Sequence, residues 1–359
     1  MSRVPTVPRR GLLARHRPLA VLLPVSLVVA WTLALGHGDA LPAPADNQGI
    51  LADAFTALAL SPAWRMLWWL WLAGALVLLE ALGRRYRLAD LTIVALGAVL
   101  IASPMSFWAF GWASTDGPLI FFGALALWLG SRLADGSGSG WWLVFGALVA
   151  GAFGLPAALI SVVVLLLLIG TAVVRGAGAR LVGFGSLAVL AALVLPLLGI
   201  VLGVGAAPGS VPIAPGTTIG ILRPLRQIFD AMVETGLNAA ATATTGLPGV
   251  PGYLYQPLGW VLIAGVIVAF FRARRSRHDA PLTVAVASTT LLAGPFLVLV
   301  LFALAGEWLV PRASAAAMLP AFLLVTGTVI MNRAMAWVVI GWSGVIAVLD
   351  VVVAVAGTR

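Results

Sequence analysis

Few side chains in this sequence are of types that could do chemistry, and they fall in a few places. The stretch from Gly36 to Asp53 carries three of the twelve acidic residues, Asp39, Asp46 and Asp53, between two apolar runs. A carboxylate there can accept a proton, hold a cation, or receive the first amides of a helix. Asp116 stands in a second polar stretch, Ser114-Thr115-Asp116-Gly117-Pro118. Arg223, Arg226 and Arg312 lie in two later ones, and guanidinium is the side chain that pairs bidentately with phosphate. There is no cysteine, so disulfides, thiolate nucleophiles and Cys-bound metals are excluded. His16, His37 and His278 are scattered along the chain, which argues against a His-based metal site; His37 is a candidate base, set against the commoner reading of an incidental loop histidine.

The rest of the chain is solvent-averse. Hydrophobic residues make up 62% of the 359 and charged ones 9%, with a mean hydropathy of +1.09. A soluble domain holds roughly 45–50% apolar and 25% charged residues. Lipid must therefore be the main solvent, and residues 1–359 are expected to form one transmembrane domain. The net charge of +9 does not imply nucleic acid, because the arginines sit in short clusters between apolar runs instead of forming a stripe.

A spanning helix needs about 20 apolar residues. On that basis the spacing predicts spans at 18–36, 62–83, 88–109, 117–133, 141–154, 156–174, 181–205, 257–271, 281–305, 313–331 and 335–357, about eleven in all. The runs are continuous and do not alternate, so a β-barrel is excluded and the fold class is all-α. The pair 141–154 and 156–174 meets at Gly154-Leu155-Pro156, where either a tight turn or a single broken helix fits the sequence. Asp135-Gly136-Ser137-Gly138-Ser139-Gly140 reads as a plain linker. The first span ends near Ala43-Pro44-Ala45, a loose likeness to a signal peptidase site. Its apolar run of about 19 residues exceeds the usual 7–15 of a signal peptide, so a retained anchor is expected.

The arginines orient these spans. With the N-terminus inside, the clusters Arg9-Arg10, Arg84-Arg85-Tyr86-Arg87 and Arg272 to Arg277 are all cytoplasmic, as are Arg132, Arg175, Arg180 and Arg333. The outside keeps Arg65, Arg223, Arg226, Arg312 and Arg359, together with Asp39, Asp46, Asp53, Asp116, Asp230, Glu234 and Glu307. The positive-inside rule therefore favours N-in/C-out with an odd number of spans. Residues 37–61 form the first outside loop, where Asp46 precedes Ile50, Leu51, Phe55 and Leu58 at helical spacing, a short juxtamembrane helix. Residues 206–256 form a long outside loop. Leu222, Leu225, Phe229 and Met232 there oppose Arg223, Arg226, Asp230 and Glu234, an amphipathic interfacial helix. Trp64, Trp68, Trp69, Trp71, Tyr253, Tyr255 and Trp260 mark interfaces. Asp350 is read as the carboxylate that comes nearest to mid-membrane.

At three of these places the chain resembles the GT-C superfamily of polytopic glycosyltransferases, which use polyprenyl-phosphate sugars. The first is the acidic first outside loop ahead of a juxtamembrane helix, with Asp39 or Asp46. The second is the hairpin from Ala102-Ser103-Pro104 to Asp116-Gly117-Pro118-Leu119-Ile120-Phe121-Phe122, similar to the family's "SP…DGPLxxF" stretch. The third is Val310-Pro311-Arg312 with Pro320 beyond it, similar to the family's outside arginine entering a late helix. The likeness is short in its motifs and architectural over most of the chain. It departs from the family at Gly154-Leu155-Pro156, where a basic residue is common, and at Ala313, where an aromatic is. Asn47 also follows Asp46 in place of a second acid, and the chain is short for the class, without a soluble C-terminal domain.

The resemblance implies a membrane transferase acting on a cell-envelope glycan, lipid or protein acceptor at the outer face of the cell membrane. Asp46, with Asp39 as second choice, would be the general base on the acceptor hydroxyl. Arg312, helped by Arg223 or Arg226, would neutralise the departing lipid phosphate. Asp116 would orient the acceptor or hold a divalent cation. The blander readings stay beside these: Asp46 caps a helix, Asp116 starts one with Pro118 in its first turn, and Arg312 snorkels at the interface. A non-catalytic envelope subunit and a transporter or lipid flippase are the competing functions, the latter disfavoured by the scarcity of charge within the spans.

Overall fold

The computed structural model describes residues 16–36, 69–102, 116–134, 136–174, 178–202, 254, 256–275, 319–320 and 323–356. Among these the chain is all-helical, with no strand. In chain order the helices are α1 (Arg17–Gly36), α2 (Trp69–Arg85), α3 (Asp90–Ala102), α4 (Asp116–Ala134), α5 (Gly140–Ala152), α6 (Leu155–Val174), α7 (Ala179–Leu202), α8 (Gln256–Arg275) and α9 (Arg333–Ala356). Residues 323–329 are also helical. Each helix occupies an apolar run, because a backbone without water must satisfy its amides and carbonyls internally.

The connections are made by local chemistry. Gly154 adopts φ 113°, a conformation an L side chain resists, and the chain reverses there. Phe153 ends α5, with its amide on the carbonyls of Val149 and Ala150. Pro156, second in α6, needs no amide partner at that position. The ambiguity at Gly154-Leu155-Pro156 thus resolves to a tight turn between two helices that pack on each other. The linker reading of 135–140 is corrected. Gly136 takes φ 70°, its amide bonds to Leu133 O at 3.1 Å, and the Ser137 amide bonds to Arg132 O at 2.9 Å. That pattern is a Schellman cap closing α4. Arg87 fills the same left-handed position after α2, at φ 55°, with the Leu88 amide on Gly83 O.

Helices α4 to α7 pack as one group, with Leu127, Leu165, Leu168 and Leu181 at its centre. Helices α1, α2, α3 and α9 form a second, around Leu22, Leu76, Leu96 and Leu100. The α2–α4 contact joins the two. Small residues set the closest approaches, as expected where lipid competes for apolar side chains and packing drives association. At Gly151 a Cβ would collide with the carbonyl oxygen of Ala192 on α7, and at Gly130 with Leu168 on α6.

The contacts also fix direction. His16 meets Glu80, Arg85 meets Ser131, and Gly140 meets Phe184. These pairings place the starts of α1, α3, α5 and α7 with the ends of α2, α4 and α6. Arg17, Arg84, Arg85, Arg87, Arg132 and Arg180 consequently share one end of the bundle, and Asp116 starts α4 at the other.

The surface is inverted relative to a soluble protein. Val174 is 87% exposed, and Val201, Val338, Leu190 and Val28 are likewise exposed, while Ser26, Ser161, Ser343 and Glu80 are buried. Among the described residues, three helices are long and apolar enough to cross a membrane, over Ala157–Val174, Ala179–Gly199 and Arg333–Val352. The span expected at 141–154 is shorter than a crossing requires on its own. α5 has 13 residues, about 20 Å at 1.5 Å each, against a hydrocarbon core of about 30 Å.

Candidate functional site

Of the residues singled out from the sequence, Asp39, Asp46, Arg223, Arg226 and Arg312 lie outside the described residues, as do the juxtamembrane helix of 37–61 and the amphipathic helix of 206–256. Asp116 is the first residue of α4, with buried Pro118 in the first turn, the start chemistry expected of Asp before an early helical Pro.

What positions that end of α4 is an aromatic cluster one to two turns further on. Trp71 of α2 sits edge-on to Phe121, with centroids 5.2 Å apart, and to Phe153 at the end of α5, 5.0 Å apart. Phe122 completes the group, 5.4 Å from Phe153. Edge-to-face rings add roughly 0.5–1.5 kcal/mol per pair beyond their burial, so α2, α4 and the α5–α6 turn are held together where Asp116 begins.

The second polar centre was not legible as one from the sequence. Glu80, on α2, is 2% exposed. Its Oε1 accepts from Arg84 Nε at 2.6 Å, and its Oε2 lies 3.3 Å from His16 Nδ1, just ahead of α1. Arg84 Nη2 in turn reaches Asp90 Oδ1, in the first turn of α3, at 3.5 Å. Both carboxylate oxygens are engaged, so this chain of contacts fastens three helices together at the arginine end. Glu80 is thus buried within the bundle, whereas Asp350 is half-buried on α9. The available signal was a lone acid in an apolar run four residues before an arginine, the spacing of a helical ion pair.

Further side-chain hydrogen bonds complete the frame. Trp69 Nε1 donates to Ser26 Oγ at 3.0 Å, Arg85 Nη2 to Ser131 O at 2.8 Å, and Trp342 Nε1 to Leu254 O at 2.7 Å. Among the described residues no three His, Asp or Glu side chains gather as a metal site.

Comparison of the chain with models of known families, with curated proteins and with solved structures gave no match.

Proposed function

We propose that the chain is a polytopic glycosyltransferase of the cell membrane. It transfers a sugar from a polyprenyl-phosphate donor to a cell-envelope acceptor on the extracytoplasmic face. In this reading about eleven spans run N-in/C-out. The observation that carries it is the stretch from Ser103-Pro104 to Asp116-Gly117-Pro118-Leu119, whose second half opens α4 at the end of the bundle away from its arginines. Asp46, or Asp39 in its place, takes the proton of the acceptor hydroxyl as its oxygen bonds to the anomeric carbon. The bond from that carbon to the donor's phosphate oxygen breaks, and Arg312 with Arg223 or Arg226 neutralises the phosphate that leaves. Asp116 orients the acceptor or holds a divalent cation.

Asp46→Asn and Asp39→Asn, assayed in membranes for transfer from a polyprenyl-phosphate sugar, test the assignment. Loss of the general base should lower transfer by roughly 10²-fold or more in one of the two variants. Undiminished transfer in both sinks it. A second reading, a non-catalytic subunit of an envelope complex, is favoured by Asn47 standing where the family's second acid would be. On that reading wild-type membranes show no transfer attributable to this chain.

A further inference from the structure

A groove of about 530 Å³ runs between α4 and α5, capped at one end by Trp71 and at the other by Arg132 and Ser139. Its volume is that of a site for a small organic ligand, and its walls are almost wholly apolar. From Ser139 to Val149 it follows ten residues of α5, about 15 Å at helical rise, which is half the hydrocarbon thickness of a bilayer. One leaflet's acyl chain has that length.

Its polar end is cationic. The Arg132 guanidinium lies 5.0 Å from the centroid of Trp128 and donates from Nη2 to Ser137 O at 3.1 Å. These two contacts hold it at the head of the groove and leave further N–H donors in its fork. No acidic side chain is among the described lining residues. Trp142, 64% exposed beside it, is the kind of residue that marks a bilayer interface. Ser139 precedes the first turn of α5 and makes no side-chain cap there, so the positive end of that helix adds to the same field.

We infer that this groove binds an anionic phospholipid of the leaflet on the arginine side, with an acyl chain between α4 and α5 and its phosphate on Arg132. The site rests on the membrane placement of the chain and is independent of the transferase assignment, of whose residues Asp116 starts α4 at the other end of the bundle.

The full-length protein, equilibrated with equal phosphatidylglycerol and phosphatidylcholine, purified and weighed by native mass spectrometry, tests it. Wild type should retain phosphatidylglycerol over phosphatidylcholine by roughly 5-fold, the contribution of one arginine to an anionic headgroup. Arg132→Gln should bring that ratio to about 1, whereas Arg180→Gln, at the same end but off the groove, should leave it unchanged. Excess inorganic phosphate should not displace the lipid. Equal retention of both lipids by wild type, which needs no variant to fold, overturns the inference. So does an equal loss in both arginine variants, or displacement by phosphate.

Discussion

At the scale of single residues, the buried carboxylate of Glu80 is the costliest group among the described residues, and its neighbours explain why it is tolerated. An ion pair taken out of water is a poor source of net stability, but removing one partner strands the other charge. Arg84 and His16 are partly exposed, 36% and 45% by side chain, so water shares their solvation and the full buried-pair penalty does not apply. Glu80→Ala should therefore lower stability by about 2 kcal/mol, nearer the value for a hydrogen bond to a charged group than for a sealed ion pair. Glu80→Gln keeps a hydrogen-bond partner for both neighbours and should cost less. Thermal unfolding of the purified chain in detergent reads both variants. Equal losses would mean that the charge of Glu80, and not its hydrogen bonds, is what holds α1 and α2 together. No loss in either would show that the three helices are fastened elsewhere.

At the scale of elements, glycine decides where helices touch. Gly151 faces the backbone of α7, with Ala192 O in the place its Cβ would take, whereas Gly170 on α6 has open space there. Backbone cannot swing aside, so Gly151→Ala should destabilise by roughly 1–3 kcal/mol, the usual cost of overpacking. Gly170→Ala should be neutral or stabilise by up to about 1 kcal/mol through helix propensity. Opposite signs in the two melting curves are the check. This difference marks what sequence reading can reach. The helices were legible because their apolar runs are long, and the chain break was legible from Gly154-Leu155-Pro156. That the break is a turn depends on one left-handed glycine. Gly136 likewise turns an apparent linker into a helix cap, through a backbone angle that composition does not encode. Glu80 and Arg84 were visible four residues apart, but His16 stands 64 residues from Glu80 and only packing brings it there. Of the candidate site, Asp116 opening α4 was legible as helix-start chemistry. The groove on Arg132 was not, since it arises from the separation of two helices whose individual sequences say only "apolar".

At the scale of the molecule, the distribution of charge and the direction of the helices make one topological claim that a single experiment decides. Helices α5 and α7 run the same way and α6 runs back between them, so Ser139, ahead of α5, and Leu202, the last residue of α7, lie at opposite ends of the bundle. If each of the three crosses, residues 139 and 210 face opposite sides of the membrane, with Ser139 on the arginine side, which the proposed N-in orientation makes cytoplasmic. The weak point is α5, whose 13 residues fall about 10 Å short of the hydrocarbon core, a mismatch that local thinning of the bilayer can absorb at modest cost. The chain contains no cysteine, so single introduced thiols report without background. In intact cells treated with a membrane-impermeant maleimide, Ser210→Cys should label at once, and Ser139→Cys only after the membrane is permeabilised. The reverse pattern would invert the orientation and move the proposed carboxylates to the cytoplasmic face, removing the basis of the transferase reading. Labelling of both positions from one side would mean that an even number of crossings separates them. Given the length and hydropathy of α6 and α7, the helix that fails to cross would then be α5, and its groove with α4 would lie within one leaflet or at its surface.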